Sequence, residues 1–249
     1  MAALRNAVGR LLVIAIASCS ASWATFFLYH TDRAVQLNSA ANAVLSGAAF
    51  RRNPEAGSSL VSAETRTICN PLEIRAAAII RLRLYEMAID ALDTRQAEER
   101  LRSLRSSVKR ALNCVPTDGF LWFIQYWSAV NQGGQVTDHL EDLRLSYKLA
   151  PFEGWVALRS PYVLAIYDLL PDDLKQSARN EFVAIVRTGL IRDAVKILKG
   201  PGWRNRDSLL AGLTTVQLEF RLQLERALRA QNLIVEIPGI EPQEFRPWR

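Results

Sequence analysis

Polar and apolar positions follow a helical period along most of this chain, and the main exception is at its start. Arg5 and Arg10 precede Leu11 to Tyr29, a run of 19 residues without a charge. At about 1.5 Å rise per residue such a helix approaches the roughly 30 Å of a bilayer's hydrocarbon core. The run is apolar on every side, so a transmembrane anchor is expected over 11–29. Basic residues on the short N-terminal side favour a cytoplasmic placement of residues 1–10, and Trp23, Phe26, Phe27 and Tyr29 crowd the far end as an interfacial aromatic belt would. Two rival readings stay open. Ser22-Trp23-Ala24 fits a signal cleavage site, and Ile16-Ala17-Ser18-Cys19 fits a lipoprotein signal lipidated at Cys19. All three place the rest of the chain outside the cytoplasm, at the inner membrane of a bacterium.

Residues 30–66 read as a short juxtamembrane helix, about Asp32 to Phe50, and then a linker, because Asn53-Pro54 and Gly57-Ser58-Ser59 interrupt a stretch of small polar residues. A helical domain follows over 67–232. Its first helix runs from Pro71 to Leu92, with Asn70 as N-cap and the proline at the first helical position, and its second from Thr94 to Asn113. A third starts at Pro116-Thr-Asp118 and ends near Asn131 before Gly133-Gly134; a fourth spans Thr137 to Leu149. Pro161 breaks the pattern. Helices then run from Pro171 to Arg187, from Leu190 to Lys199 and from Asp207 to Gln231. Residues 233–249 hold three prolines and no helical period, so they form an extended tail for which Trp248 is a candidate pin.

Pro116 and Pro151 are 35 residues apart, and Val108-Lys-Arg-Ala-Leu-Asn-Cys-Val-Pro116 aligns with Arg144-Leu-Ser-Tyr-Lys-Leu-Ala-Pro151. That spacing is close to the 34-residue period of tetratricopeptide units, and the stretch from about Cys69 to Tyr167 resembles them. The expected fold is therefore all-α: an N-terminal transmembrane helix, a TPR-like array of antiparallel helical hairpins and an extended C-terminal tail.

Cys69 and Cys114 each precede a helix-opening proline by two residues, which puts both at one edge of a hairpin stack. Outside the cytoplasm they are a candidate disulfide, two buried thiols being the alternative. No CxxC pair or nearby histidine accompanies them, so no metal site is expected.

The formal charge of +6, from 31 Lys+Arg against 25 Asp+Glu, suits several acidic partners without selecting one. The basic residues are interleaved with glutamates, as in Arg95 to Arg105, which reads as a solvated helix face; nucleic acid is not an expected partner. Histidines number two, His30 and His139, and no phosphate-binding loop, dinucleotide fingerprint or HExxH motif occurs, so no cofactor is expected. Glu141-Asp142 and Asp172-Asp173 are the carboxylate pairs a glycan-cleaving enzyme would need, yet both sit at helix starts, where the dipole explains them. A non-catalytic protein is the expectation, with no catalytic residue.

Binding candidates remain. Phe120, Trp122, Phe123, Tyr126 and Trp127 occupy two faces of one helix, of which the face of Trp122 and Tyr126 is free to line a binding surface. The loop Gly200-Pro-Gly-Trp-Arg-Asn-Arg-Asp207 presents Trp203, Arg204 and Arg206.

Four phrases, Asp118-Gly-Phe-Leu-Trp122, Leu143-Arg-Leu-Ser-Tyr-Lys-Leu-Ala-Pro-Phe-Glu-Gly-Trp155, Leu198-Lys-Gly-Pro-Gly-Trp203 and Arg246-Pro-Trp-Arg249, together resemble a group of single-pass membrane proteins, the VpsP-like polysaccharide biosynthesis proteins. The resemblance covers about Leu101 to Arg249. It implies a periplasmic accessory or scaffold that holds protein components of an exopolysaccharide synthesis or export machine, with the glycan itself a further candidate partner. A general periplasmic adaptor for envelope assembly or quality control is the alternative.

Overall fold

The computed structural model describes residues 2–45, 54–65, 69–151, 153 and 155–241, and all its regular structure is helical, with no strand among those residues. The chain divides into two compact units, residues 1–116 and 117–249. The boundary at Pro116 falls inside the single domain that the sequence drew over 67–232.

In the first unit, α1 spans Ala2–Leu45, α2 Pro54–Thr65, α3 Pro71–Asp90 and α4 Thr94–Cys114. The hairpin of α3 and α4 is the centre of this unit, with α1 and α2 also packed on α3. Local chemistry sets its start and turn. The Asn70 side chain accepts hydrogen bonds from the amides of Leu72 at 3.1 Å and Glu73 at 3.4 Å, and Pro71 occupies the position where a missing N–H loses nothing. Leu92 takes a left-handed φ of 55° in the turn, and Asp93 then caps α4 through the amide of Gln96 at 2.9 Å.

Because α3 is covered from several sides, the run Ala76 to Ile80 is buried without interruption, while α4 buries one stripe that includes Ala97, Leu101, Leu104, Val108 and Ala111. Each fully buried aliphatic side chain contributes about 1.5–3 kcal/mol.

The N-terminal region departs from expectation in two ways. A separate juxtamembrane helix beginning near Asp32 is not seen, since α1 is one helix through Leu45; no proline or glycine lies between Arg10 and Leu45 to end it. Along this rod residues 13–26 are exposed, whereas Ala34, Leu37 and Ala41, spaced at three and four, are buried. Among the described residues no helix is long and apolar enough to cross a membrane. The expected linker is also partly helical. Pro54 opens α2, which continues through Gly57-Ser58-Ser59 because Leu60 and Ala63 are buried and Glu64 receives two hydrogen bonds from Arg81 of α3, at 3.0 and 2.7 Å. Tertiary contacts outweigh the poor propensity of that stretch.

In the second unit, α5 spans Gly119–Asn131, α6 Leu140–Leu149, α7 Val156–Ala165, α8 Asp172–Arg187, α9 Ile191–Lys199, α10 Arg206–Ala211 and α11 Leu218–Arg229. Single 3-10 turns, Val136–His139, Tyr167–Leu169, Trp203–Asn205 and Gly212–Thr215, join several of them. Helices α5 and α6 form the second hairpin. Buried Leu174, Phe182, Ile185 and Val186 make α8 the axis on which α7, α9 and α10 rest.

Pro161 does not break the chain but lies inside α7. The long helix expected from Asp207 to Gln231 is three pieces, parted at Gly212 and before Leu218. A Cβ on Gly212 would stand 2.7 Å from Cγ2 of Val183, so this glycine lets the turn approach α8 more closely than any other residue would. Residues 233–241 are non-helical, as expected for the tail; Ile237 is buried and Arg221 donates a hydrogen bond to the carbonyl of Pro238. Residues 242–249, with Trp248 and the phrase Arg246 to Arg249, lie outside the described residues.

Candidate functional site

The aromatic residues of α5 meet those of α7 in an array that runs from the surface of the second unit into its core. Asp118 starts α5 by accepting from the amides of Phe120 at 2.9 Å and Leu121 at 3.2 Å. Gly119 then permits close packing, since a Cβ there would lie 2.5 Å from the Cβ of Ala150 and 2.9 Å from the carbonyl oxygen of Ser146. The rings follow in order. Trp127 meets Tyr162 edge to face at 5.9 Å, Tyr162 meets Phe123 at 6.0 Å, Phe123 stacks on Trp155 at 6.3 Å, and Trp155 meets Phe120 edge-on at 5.1 Å. Tyr162, at 47% exposure, is the outer member and Trp155 is buried.

Beyond Trp155 the array ends on a buried ion pair. The Arg159 guanidinium lies 3.9 Å from the ring centre of Tyr147 and 4.9 Å from that of Trp155. Its Nε donates to Oε2 of Glu181 at 2.8 Å, Nη1 to Oγ of Ser146 at 2.7 Å and Nη2 to the carbonyl of Ala150 at 3.2 Å. Ser160 donates to the other oxygen of Glu181. Both carboxylate oxygens are thus occupied, and both charged side chains are out of solvent. Burial pushes the Glu181 carboxyl up, while Arg159 and the two hydrogen bonds hold it down. Burial raises the Tyr147 phenol well above its ordinary range. Such a closed, satisfied pair cannot hand a proton to a substrate; it fixes the relative positions of α6, α7 and α8.

The binding residues expected from sequence separate into two groups. On α5, Trp122 is half-buried, but Tyr126 is a core residue at 4% exposure, which corrects its placement on a binding face. Its hydroxyl has no partner, and burial pushes its phenol up to about 12. The physical reason is that apolar residues occupy nearly the whole circumference of α5, so one aromatic face does not satisfy the packing around it.

Trp203, Arg204 and Arg206 do share one exposed turn. The Arg206 guanidinium stacks 4.6 Å from the Trp203 ring and donates to its carbonyl at 3.1 Å, while Arg204 pairs with Asp168 at 3.2 Å. In the first unit, Cys69 and Cys114 are at disulfide distance, with Cα atoms 5.9 Å apart. They meet because one precedes α3 and the other ends α4, at the same end of an antiparallel hairpin.

Two of the four candidate carboxylates, Glu141 and Asp173, are tied to one cation. Arg144 pairs with Glu141 at 2.6 Å and with Asp173 at 2.6 Å, and this second bond holds the Asp173 carboxyl below the usual carboxylate range. Asp142 is raised by burial, and His139 stands 4.0 Å from it. Among the described residues no group of three or more His, Cys, Asp or Glu side chains is arranged to hold a metal ion.

Arg159 and Glu181 were not singled out in the sequence. One signal was there to find: Arg159 is the single charge between Glu153 and Asp168, and a charge isolated in an apolar segment calls for a buried partner.

No protein-family model, no curated protein and no solved structure matches this chain.

Proposed function

We propose that this protein is a membrane-anchored, non-catalytic helical scaffold outside the cytoplasm, serving exopolysaccharide synthesis or export. The observation that carries the anchor is α1, whose residues 13–26 are exposed on all sides and include Val13, Ile14, Ile16, Trp23 and Phe26. An apolar rod that the protein leaves uncovered needs an apolar solvent. The uncharged run in the sequence extends beyond those residues to 11–29, close to the length of a bilayer span. The cysteine pair at disulfide distance supports an oxidising compartment.

Two helical hairpins, and a buried Arg159–Glu181 pair whose carboxylate oxygens are both occupied, support a binding role over a catalytic one. The pathway rests on the resemblance of phrases to VpsP-like proteins. The test is deletion of the gene with measurement of surface polysaccharide, together with a mild-detergent pull-down of the full-length chain. Reduced polysaccharide and recovery of synthesis or export enzymes are expected. Unchanged amount and chain length, with secretion or division proteins recovered instead, would select a general envelope adaptor. A reporter enzyme fused after Arg229 tests the placement; it is active only outside the cytoplasm, and activity inside sinks the anchor.

A further inference from the structure

A groove of about 650 Å³ in the second unit holds two arginines, Arg179 and Arg187, and no carboxylate among its lining residues. One wall is a stripe of α8 carrying Gln176, Arg179, Asn180 and Arg187; the other carries Ser208 of α10 and Thr215 of the turn that follows. Gly212 sets the depth, since its contact with Val183 brings the second wall down onto α8.

Neutral oxygens position both guanidinium groups. Arg179 donates to the hydroxyl of Tyr167 at 2.8 Å and to Oε1 of Gln176 at 2.5 Å, and Tyr167 is itself 3.3 Å from Oγ of Ser208. Arg187 donates to Oγ1 of Thr215 at 3.2 Å. No carboxylate lines the groove, and among the described residues none pairs with either arginine. Their neighbours differ: Arg144, Arg159, Arg204 and Arg229 each meet an Asp or Glu. A guanidinium has five donors, so each of these two keeps unspent donors and its whole charge, already oriented for an anion. Eight residues of helix separate them, roughly 12 Å at the α-helical rise.

We propose that this groove binds a carboxylate-bearing oligosaccharide, with Arg179 and Arg187 each pairing one acid group and the hydroxyl and amide side chains between them reading sugar hydroxyls. The lining selects this class. Peptides that dock through sheet edges or apolar anchor pockets do not fit, because the described residues hold no strand and the groove's apolar residues are Val183, Ala211 and Gly212; an acidic peptide on the two arginines is the competitor that the hydroxyl and amide lining disfavours. Single-stranded nucleic acids need rings for stacking, and no aromatic residue lines the groove. The ligand class comes from these side chains, while its cellular meaning rests on the scaffold reading above.

The experiment is calorimetric titration of the full-length protein in detergent with a galacturonic acid oligomer, a neutral maltooligosaccharide of equal length, a polyglutamate peptide and inorganic phosphate. Saturable binding of the uronic acid oligomer is expected, weakened by salt and by about tenfold or more in Arg187→Gln, with a similar loss in Arg179→Gln. The exposed Lys109→Gln on α4, outside the groove, leaves it unchanged. Arg187 is a surface residue, so its variant reads binding even where Arg179→Gln disturbs the fold, which circular dichroism reports. Absence of binding to the uronic acid oligomer, equal binding of the neutral sugar or of polyglutamate, binding of phosphate alone, or insensitivity to Arg187→Gln overturns the proposal. Loss of surface polysaccharide on gene deletion, together with no oligomer binding, removes the groove and leaves the scaffold standing.

Discussion

Arg159 of α7 and Glu181 of α8 face each other across the core of the second unit with side-chain exposures of 0% and 1%. A pair so enclosed contributes less to stability than its geometry suggests, because both ions surrender their hydration. Removing one partner is another matter. Glu181→Leu leaves a buried guanidinium without its counter-ion and is expected to cost about 3–5 kcal/mol. The double replacement Arg159→Met with Glu181→Leu is expected to recover most of that loss. Denaturant unfolding of the four proteins of the cycle measures it; a single-variant cost below about 1 kcal/mol would contradict the buried pair.

The pair Cys69 and Cys114, 45 residues apart in sequence, closes the α3–α4 hairpin at one end. Reduction, or Cys69→Ser with Cys114→Ser, is expected to lower stability by about 4 kcal/mol in the chain-entropy model. Thiol titration of the unfolded, unreduced protein is the direct check: one reactive thiol, from Cys19, is expected, and three would show that no bridge forms.

Tyr126 carries a buried hydroxyl without a partner. Tyr126→Phe keeps the ring and removes the unsatisfied group, so it is expected to be neutral or to stabilise by up to about 1 kcal/mol. It also changes the alkaline limb of stability. A phenol held at about 12 in the fold and near its ordinary value of 10 when unfolded stays protonated in the native state. Its contribution is present below pH 10 and is lost as pH rises toward 12. Burial raises Tyr85 and Tyr147 in the same direction, so the variant flattens the decline without abolishing it. A variant that loses stability as steeply as the parent would show that Tyr126 is not the source.

Gly119 stands where α5 crosses the end of α6. Gly119→Ala forces its new methyl into Ala150 and the backbone of Ser146, and an overpacked contact of this kind costs about 1–3 kcal/mol. Thermal unfolding followed by near-ultraviolet dichroism reports it, because Phe120 and Trp155 lie next to this contact. A rise in melting temperature, as expected for Gly→Ala at an open helical position, would show that α5 and α6 are not so close.

How far each element was legible depended on where its cause resides. Asn70-Pro71, Asp93 and Asp118 satisfy their own helix's amides, so the starts of α3, α4 and α5 were readable from a few neighbouring residues. The uncharged 19-residue run and the cysteines flanking one hairpin were readable for the same reason. By contrast, α2 persists through a Gly-Ser stretch only because Leu60 and Ala63 are covered, and the break at Gly212 exists because Val183 of another helix is there.

Sites divide in the same way. Trp203, Arg204 and Arg206 are close in sequence and share a turn, whereas Tyr126 was misplaced because one helix's pattern does not reveal how many sides are packed. Arg159 with Glu181, and Arg187 with Thr215 across the groove, are joined over 20 residues or more. The sequence by itself determined an all-helical chain, its main caps and an apolar N-terminal run, because those depend on interactions within a few residues. Which charges are buried and paired, and which arginines remain unneutralised, only the tertiary structure decided, since desolvation and pairing belong to the neighbours that folding brings together.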